Sequence, residues 1–151
     1  MSNPPLDRYL AILTQLDATS LDALTACLAE DVRFRDPFND VRGRAAVRAV
    51  FADMLEQLDD LRFAVTARAV EPAPRSDGIH VALVSWQLDA RLPRLGGRAW
   101  SVAGCSEIHL DDRGHVRAHL DYWDAARSLY EQLPLLGSVL RTLRRRLAVR
   151  P

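Results

Sequence analysis

The sequence predicts an α+β fold in which helices come first and consecutive strands follow. Between residues 6 and 58, three segments carry apolar residues at the three-to-four-residue spacing of helices that bury one face. From Leu61 onward the spacing falls to two, which is typical of strands, and turn residues separate the strands. Helices followed by neighbouring strands indicate an α+β domain rather than an alternating βαβ fold.

Three helices are predicted in the first part of the chain. The first covers residues 6–17, and the second begins after a capping-box pattern, Thr19-x-x-Asp22. The third runs from Ala46 to Leu58 and has the most regular apolar spacing in the sequence. Residues 38–43 are predicted to form the loop that precedes it.

A strand between the second and third helices directs a carboxylate towards the protein interior. Val32 and Phe34 alternate with two arginines, and Asp36 falls on the same side as those two apolar residues. Pro37 cannot donate to a central ladder and ends the strand. A buried acid is costly unless it is paired or used, so Asp36 is the first candidate for catalysis.

Four longer strands and a helical tail complete the predicted fold. The strands are predicted at residues 61–67, 79–92, 100–110 and 115–123. Their length indicates a strongly curved sheet. Asp124 is a good N-cap for the helix that follows, and Pro134 and Gly137 interrupt that helix before a last one begins at about Ser138.

The composition excludes several classes of chemistry. All 20 basic residues are arginine, and 20 acidic residues balance them. Without lysine the chain has no amine for Schiff-base or pyridoxal-phosphate chemistry and no Walker-type phosphate loop. Residues 134–151 carry five arginines and no acid, so the rest of the chain is acidic. An acidic body argues against binding nucleic acid through broad electrostatics.

The chain is predicted to form one domain over residues 1–133, with a basic amphipathic helical tail over residues 134–151. Such a tail suits a membrane surface, a partner helix or packing on the body, and the acidic body favours packing on it or on a second subunit. No apolar run reaches the ~18 residues of a membrane span, and no signal peptide is recognisable. We therefore expect a cytoplasmic protein without stable membrane insertion, and Cys27 and Cys105 as free thiols.

Acid–base chemistry is the reaction type for which the sequence supplies side chains. Asp36, Asp121 and His119 are the candidate catalytic residues, with Tyr9 and Ser106 as possible hydrogen-bond donors. Trp123 shares one face of the last strand with Asp121 and His119. That face is either a pocket wall or an exposed polar surface, and the Tyr9 hydroxyl lies either in the core or in the pocket.

Aromatic side chains could line an apolar ligand site, and no metal or cofactor site is predicted. The candidates for the lining are Phe38, Trp86, Trp100 and Trp123, each of which could equally belong to the core. On a strand rising ~3.3 Å per residue, His115 and His119 stand roughly 13 Å apart, which is too far to share an ion. Nucleophilic catalysis has no motif to support it.

The order of elements and three local patterns resemble the nuclear transport factor 2-like superfamily, in particular its SnoaL-like and ketosteroid isomerase-like branches. The patterns are Phe34-Arg35-Asp36-Pro37, Arg42-Gly43-Arg44 and the segment from Gly104 to Asp124. The resemblance covers about residues 6–130. It implies a cone in which a curved, mostly antiparallel sheet wraps around the N-terminal helices, an apolar pocket at the wide end, and a homodimer.

The resemblance also implies roles for individual residues. Ketosteroid isomerases use an aspartate base with a tyrosine and a protonated aspartic acid as oxyanion hole. By position the base corresponds to Asp36 and the tyrosine to Tyr9, whereas Ser106 stands where the protonated acid is expected. Related cyclases and epoxide hydrolases carry an acid on the last strand, which makes Asp121 the partner of Asp36.

Two functions follow from these expectations. The first is an isomerase, cyclase or hydrolase that uses aspartate acid–base chemistry on a polyketide-, terpenoid- or steroid-like molecule. Because Ser106 replaces the protonated acid, the oxyanion hole that a steroid isomerase needs is incomplete. The second is therefore a non-catalytic module of the same fold that binds a small apolar molecule or dimerises.

Overall fold

The computed structural model describes residues 3–148 as five α-helices and one six-stranded sheet. The helices are α1 (Pro4–Thr14), α2 (Leu21–Ala26), α3 (Arg44–Gln57), α4 (Ala125–Ser128) and α5 (Leu136–Leu147). The strands are β1 (Leu28–Arg35), β2 (Asp40–Arg42), β3 (Asp59–Val70), β4 (His80–Leu92), β5 (Arg98–Leu110) and β6 (Val116–Tyr122). Single 3₁₀ turns lie at Pro93–Leu95 and Tyr130–Gln132.

The sheet has the order β2-β1-β6-β5-β4-β3, and every neighbouring pair except β1 and β6 is antiparallel. β4 and β5 pair over their whole length, from His80 opposite Leu110 to Leu92 opposite Arg98, with no shift in register. The predicted α+β class and mostly antiparallel sheet are therefore confirmed. In the part of the chain that the structure describes, no helix is long and apolar enough to cross a membrane.

One face of the sheet carries both the core and the cavity that concerns function. Side chains of α1, α2 and α3 form the main apolar cluster with Ala82 and Val84 of β4 and Ile108 and Leu110 of β5. Because successive side chains of a strand point to opposite faces, Trp86 and Leu88 continue on the same face as Val84. They belong to a second apolar cluster, which lines the cavity.

Three local features differ from the prediction. The capping box is wrong: Ser20 is the N-cap of α2 and forms no side-chain capping bond. Asp17 Oδ1 instead accepts hydrogen bonds from the Thr19 hydroxyl and from the backbone amides of Ser20 and Thr19, and these bonds hold the pKa of the Asp17 carboxyl below its usual value.

The second difference is the short strand β2 within the predicted loop at residues 38–43. It pairs with β1 and places Asp40 beside Arg33, with 2.7 Å between the ionic groups. Its three residues are too few to show a two-residue period, which is why the sequence pattern misses it. α5 likewise begins at Leu136, two residues before the predicted start.

Other expectations are confirmed. Asp124 caps α4 by accepting a hydrogen bond from the Arg127 amide at 2.9 Å. Cys27 and Cys105 are free thiols.

Gly104 is required by the close approach of an aromatic ring. It lies directly opposite Trp86 in the β4–β5 pair, and the indole lies across it. A Cβ added to Gly104 would come within 2.4 Å of Trp86 Cζ2 and 2.5 Å of Cη2. The indole occupies this place because residue 104 has no side chain.

We expect Gly104→Ala to lower the free energy of unfolding by about 1–3 kcal/mol, the usual cost of overpacking. The measurement is urea denaturation of the full chain. In a Trp86→Phe background, which removes the atoms nearest to Gly104, the same substitution should cost less. An equal cost in both backgrounds would show that the indole is not the cause.

Candidate active site

A cavity of about 540 Å³ lies between the helical layer and the sheet, within the usual range for sites that bind small molecules. Aliphatic side chains and seven aromatic rings form most of its wall, and the aromatic residues are Phe34, Phe38, Phe51, Phe63, Trp86, Trp100 and Trp123. Its charged and titratable lining residues are Asp36, Asp53, Arg94, His119 and Asp121. The cavity is thus apolar with a few polar groups.

The structure brings the residues singled out in the sequence to this one cavity. Seven of them line it: Asp36, Phe38, Trp86, Trp100, His119, Asp121 and Trp123. Tyr9 and Ser106 are buried and do not line the cavity, but each is hydrogen-bonded to a residue that does. The face of β6 that carries His119 and Asp121 therefore points inwards.

The β5–β6 register produces the central contact of the site. Ser106 lies directly opposite Asp121, and its Oγ is 2.5 Å from Asp121 Oδ1. His119 precedes Asp121 by two residues, so both side chains point to the same face of β6. His119 Nε2 is 2.8 Å from the same Oδ1 atom.

Trp86 determines which way the Ser106 hydroxyl points. The indole crosses Gly104 and places Nε1 at 2.8 Å from Ser106 Oγ. An indole N–H can only donate, so Ser106 Oγ accepts this bond. The Ser106 hydroxyl hydrogen is then directed to Asp121, which accepts it.

Tyr9 determines the tautomer of His119. The Tyr9 hydroxyl lies 2.8 Å from His119 Nδ1, and both groups are buried. Burial, followed by the negative charge of Asp121, raises the pKa of Tyr9 well above its usual value, so the phenol keeps its proton. Since the phenol donates, His119 accepts this hydrogen bond at Nδ1 and donates Nε2–H to Asp121.

These five residues form one buried hydrogen-bond chain, made of Trp86, Ser106, Asp121, His119 and Tyr9. From Trp86 and from Tyr9 the hydrogen bonds all donate towards Asp121, whose Oδ1 accepts from Ser106 and His119. Within residues 3–148 no group donates to Asp121 Oδ2. The Asp121 side chain is 16% exposed and lines the cavity, so this second oxygen is available to a ligand.

Asp36 lines the same cavity but is held differently. Its Oδ1 accepts hydrogen bonds from the amides of Phe38 and Asn39 at 2.7 and 2.6 Å. The Asn39 side-chain amide lies 3.1 Å from each carboxylate oxygen. Asp36 therefore closes the turn that carries Phe38, and Phe38 packs edge-on against Trp123 at 5.4 Å between ring centres.

Sequence reasoning did not identify Asn39, Asp53 or Arg94. For Asn39 a signal existed, because Asp-Pro-Phe-Asn is a pattern in which an aspartate side chain accepts amides of the following turn. Asp53 and Arg94 are exposed residues at the cavity edge, and no local pattern distinguishes them from other charged surface residues.

A family model and several solved structures match the chain. The model, described as a SnoaL-like domain, matches residues 6–119. An LEH-like epoxide hydrolase from M. tuberculosis is 15% identical with a TM-score of 0.63, covering 96% of this chain and 93% of that one. No curated protein matches the chain.

Two further structures show the same fold. A protein from Catenulispora acidiphila with a ketosteroid isomerase-like fold, solved with trimethylamine, is 13% identical with a TM-score of 0.68 over 87% of this chain and 93% of that one. SalBIII, an epoxide hydrolase/cyclase-like enzyme with a role in pyran ring formation in salinomycin, is 15% identical with a TM-score of 0.63 over 80% and 88%. At these identities the similarity concerns the fold.

Replacing Tyr9 tests the hydrogen-bond chain through the pH dependence of stability. The folded state keeps the Tyr9 proton, whereas the unfolded chain releases it above about pH 10. The stability that this difference contributes is present below that pH and is lost as pH rises. We expect Tyr9→Phe to lower the free energy of unfolding by about 1–2 kcal/mol at pH 7, because His119 Nδ1 loses its donor. The free energy of unfolding of this variant should also fall less as pH rises.

The measurement is urea unfolding between pH 7 and 10.5, with Tyr122→Phe as the matched control. Tyr122 is 48% exposed and lies outside the hydrogen-bond chain, so Tyr122→Phe should keep the loss of stability in alkali that depends on Tyr9. If the unfolding free energy of Tyr9→Phe falls with pH as steeply as that of the wild type, the role given to the Tyr9 proton is contradicted.

Proposed function

The chain belongs to the SnoaL-like domain family, and from this premise we propose that it binds a small apolar organic molecule and transfers a proton on it with Asp121. One observation carries the proposal. Asp121 lines an apolar cavity, its Oδ1 accepts from Ser106 and His119, and within residues 3–148 no group donates to its Oδ2. Such a group meets the geometric requirement of a general base.

The cavity wall supports a ligand with a flat or ring-shaped carbon skeleton. Trp123 packs edge-on against both Phe38 and Trp100, with ring centres 5.4 and 5.8 Å apart, and this makes a continuous aromatic surface. A polyketide-, terpenoid- or steroid-like molecule matches such a surface and a volume of about 540 Å³.

Proton transfer at one carboxylate accounts for the reactions named for the structural relatives. Asp121 Oδ2 would take a proton from a carbon, a hydroxyl or a water molecule held in the cavity. Returned to another atom of the same molecule, that proton completes an isomerisation or cyclisation. Taken from a water molecule, it leaves the water oxygen to bond to an epoxide carbon as the ring C–O bond breaks, and Asp121 then returns the proton to the former ring oxygen. The relatives include an epoxide hydrolase and an epoxide hydrolase/cyclase-like enzyme.

The other members of the hydrogen-bond chain would act as positioning residues. Ser106 and His119 hold the carboxylate of Asp121 so that Oδ2 faces the ligand. Trp86 and Tyr9 fix the hydrogens of those two residues in turn. A base that is already oriented needs no rearrangement when the ligand arrives.

Asp36 is the base that the sequence favours, and the geometry supports a different task for it. The carboxylate accepts the amides of its own turn and so keeps Phe38 against Trp123. We infer that Asp36 shapes the cavity wall and that Asp121 moves the proton.

A second function, ligand binding without catalysis, rests on a separate observation. Trp86 and Trp100 carry indole donors at the cavity wall, but their N–H groups are bonded to Ser106 Oγ and to the Ser128 carbonyl. Neither indole is therefore available to stabilise a developing oxyanion. A carrier needs no such donor.

Asp121→Asn provides the decisive test of the proposed base. We would screen cyclic ketones and epoxides by thermal stabilisation, then measure α-deuteration of bound ketones in D₂O and epoxide opening in ¹⁸O-labelled water. Asp121→Asn should bind the same compounds and react at least ~100-fold more slowly, which is the usual contribution of a general base.

Asp53→Asn is the matched control, because Asp53 lines the edge of the same cavity and is exposed. The Asp53→Asn variant should react at the wild-type rate, and the Asp36→Asn variant should retain most of the wild-type rate. A large loss confined to Asp36→Asn would move the base to Asp36. Stabilising ligands without any wild-type turnover would favour the binding module.

A further inference from the structure

The C-terminal helix α5 exposes the apolar stripe that a helix normally buries. Apolar residues recur at the spacing of one helix face, at Leu136, Val139, Leu140, Leu143 and Leu147. Val139 is 64% exposed, Leu143 52% and Leu147 78%. The stripe therefore faces away from the protein and does not pack on the acidic body, which was one of the two placements expected from the sequence, the other being a second subunit.

The polar side of α5 attaches it to the rest of the chain. Arg144 Nε lies 2.8 Å from a carboxylate oxygen of Glu131, and Arg141 donates to the Glu131 backbone carbonyl. Gly137 packs so closely against that carbonyl that a Cβ would collide with it. These contacts hold α5 against the Tyr130–Gln132 turn from Gly137 to Arg144 and leave the stripe exposed.

Arginines border the stripe on both sides. At about 100° per residue, Arg144 and Arg146 lie next to its two edges, while Arg141 and Arg145 lie on the far side. The segment 134–151 contains five arginines and no acidic residue. The surface that α5 offers is thus an apolar band between cationic borders.

We propose that α5 docks the protein on an anionic lipid surface. The stripe would enter the boundary between headgroups and acyl chains, and Arg146 at its edge would contact lipid phosphates while Arg144 stays paired with Glu131. A helix of 12 residues is about 18 Å long, shorter than the ~30 Å hydrocarbon core, so it would lie in the surface plane.

Charge favours a lipid surface over a second copy of α5. Two stripes packed face to face would bring their arginine borders together, and like charges repel. An anionic bilayer offers both the negative charge and the apolar layer that this helix matches. Leu129 and Leu133, which line the cavity, precede α5, so docking would bring the cavity wall towards the lipid.

The test is co-sedimentation of the full chain with vesicles of phosphatidylcholine alone or with about 30% phosphatidylserine. We expect binding to the anionic vesicles that weakens as salt is added, and little binding to the neutral ones. Leu143→Gln/Leu147→Gln should lower the partition coefficient at least tenfold. Arg146→Gln, at the edge of the stripe, should lower it roughly fivefold, and Arg145→Gln, on the far side of the helix, should lower it less.

Matched controls alter the same residue types elsewhere on the surface. Leu83, an apolar residue of β4, is 49% exposed, and Arg62 and Arg113 are exposed on the body. Leu83→Gln and Arg62→Gln/Arg113→Gln should bind vesicles as the wild type does. Circular dichroism and thermal unfolding of each variant check that the body remains folded.

Three results would overturn the proposal. They are the absence of wild-type binding to anionic vesicles, equal losses in the control and α5 variants, and a wild-type dimer that becomes monomeric in Leu143→Gln/Leu147→Gln by sedimentation velocity. The last result would assign the stripe to a second copy of the chain.

Discussion

The pairing of Ser106 with Asp121 across β5 and β6 fixes the polar part of the cavity. A shift of one residue in this register would turn the side chains of His119, Asp121 and Trp123 to the opposite face of the sheet. The hairpin and the one-residue shift in pairing between His109 and Leu110 together set that register, and the unbroken β4–β5 pair extends it to Trp86. The site therefore depends on strand alignment more than on any loop.

Much of the fold follows from sequence, because periodicity reports which face of an element is buried. The α+β order, the shared face of His119 and Asp121 and the capping role of Asp124 were all predictable in this way. The Tyr9–His119 bond was not, since it joins residues 110 positions apart through a helix that must first pack on the sheet. The Trp86–Ser106 bond was equally hidden, because it depends on a strand register that no single strand reveals.

Asp36 and Asp121 show how hydrogen-bond partners separate two similar acids in one cavity. The partners of Asp36 are near neighbours in the chain, which is the mark of a turn. The hydroxyl donor to Asp121 comes from another strand and is itself oriented by a third, so the position of this carboxylate reflects the whole sheet. Alternation along a strand predicts that a carboxylate points inwards, but it does not predict which oxygen remains free.

Because residue 104 is glycine, the cavity can be enlarged by a substitution at Trp86 but not reshaped by one at residue 104. A smaller residue at position 86 would enlarge the cavity towards β5, because the space that the indole vacates is bordered by a residue without a side chain. Enlarging residue 104 would push the indole away from Ser106 before it changed the space available to a ligand. An engineer who wished to admit bulkier molecules would therefore trim the tryptophan and leave the glycine, and would have to supply Ser106 with a new donor.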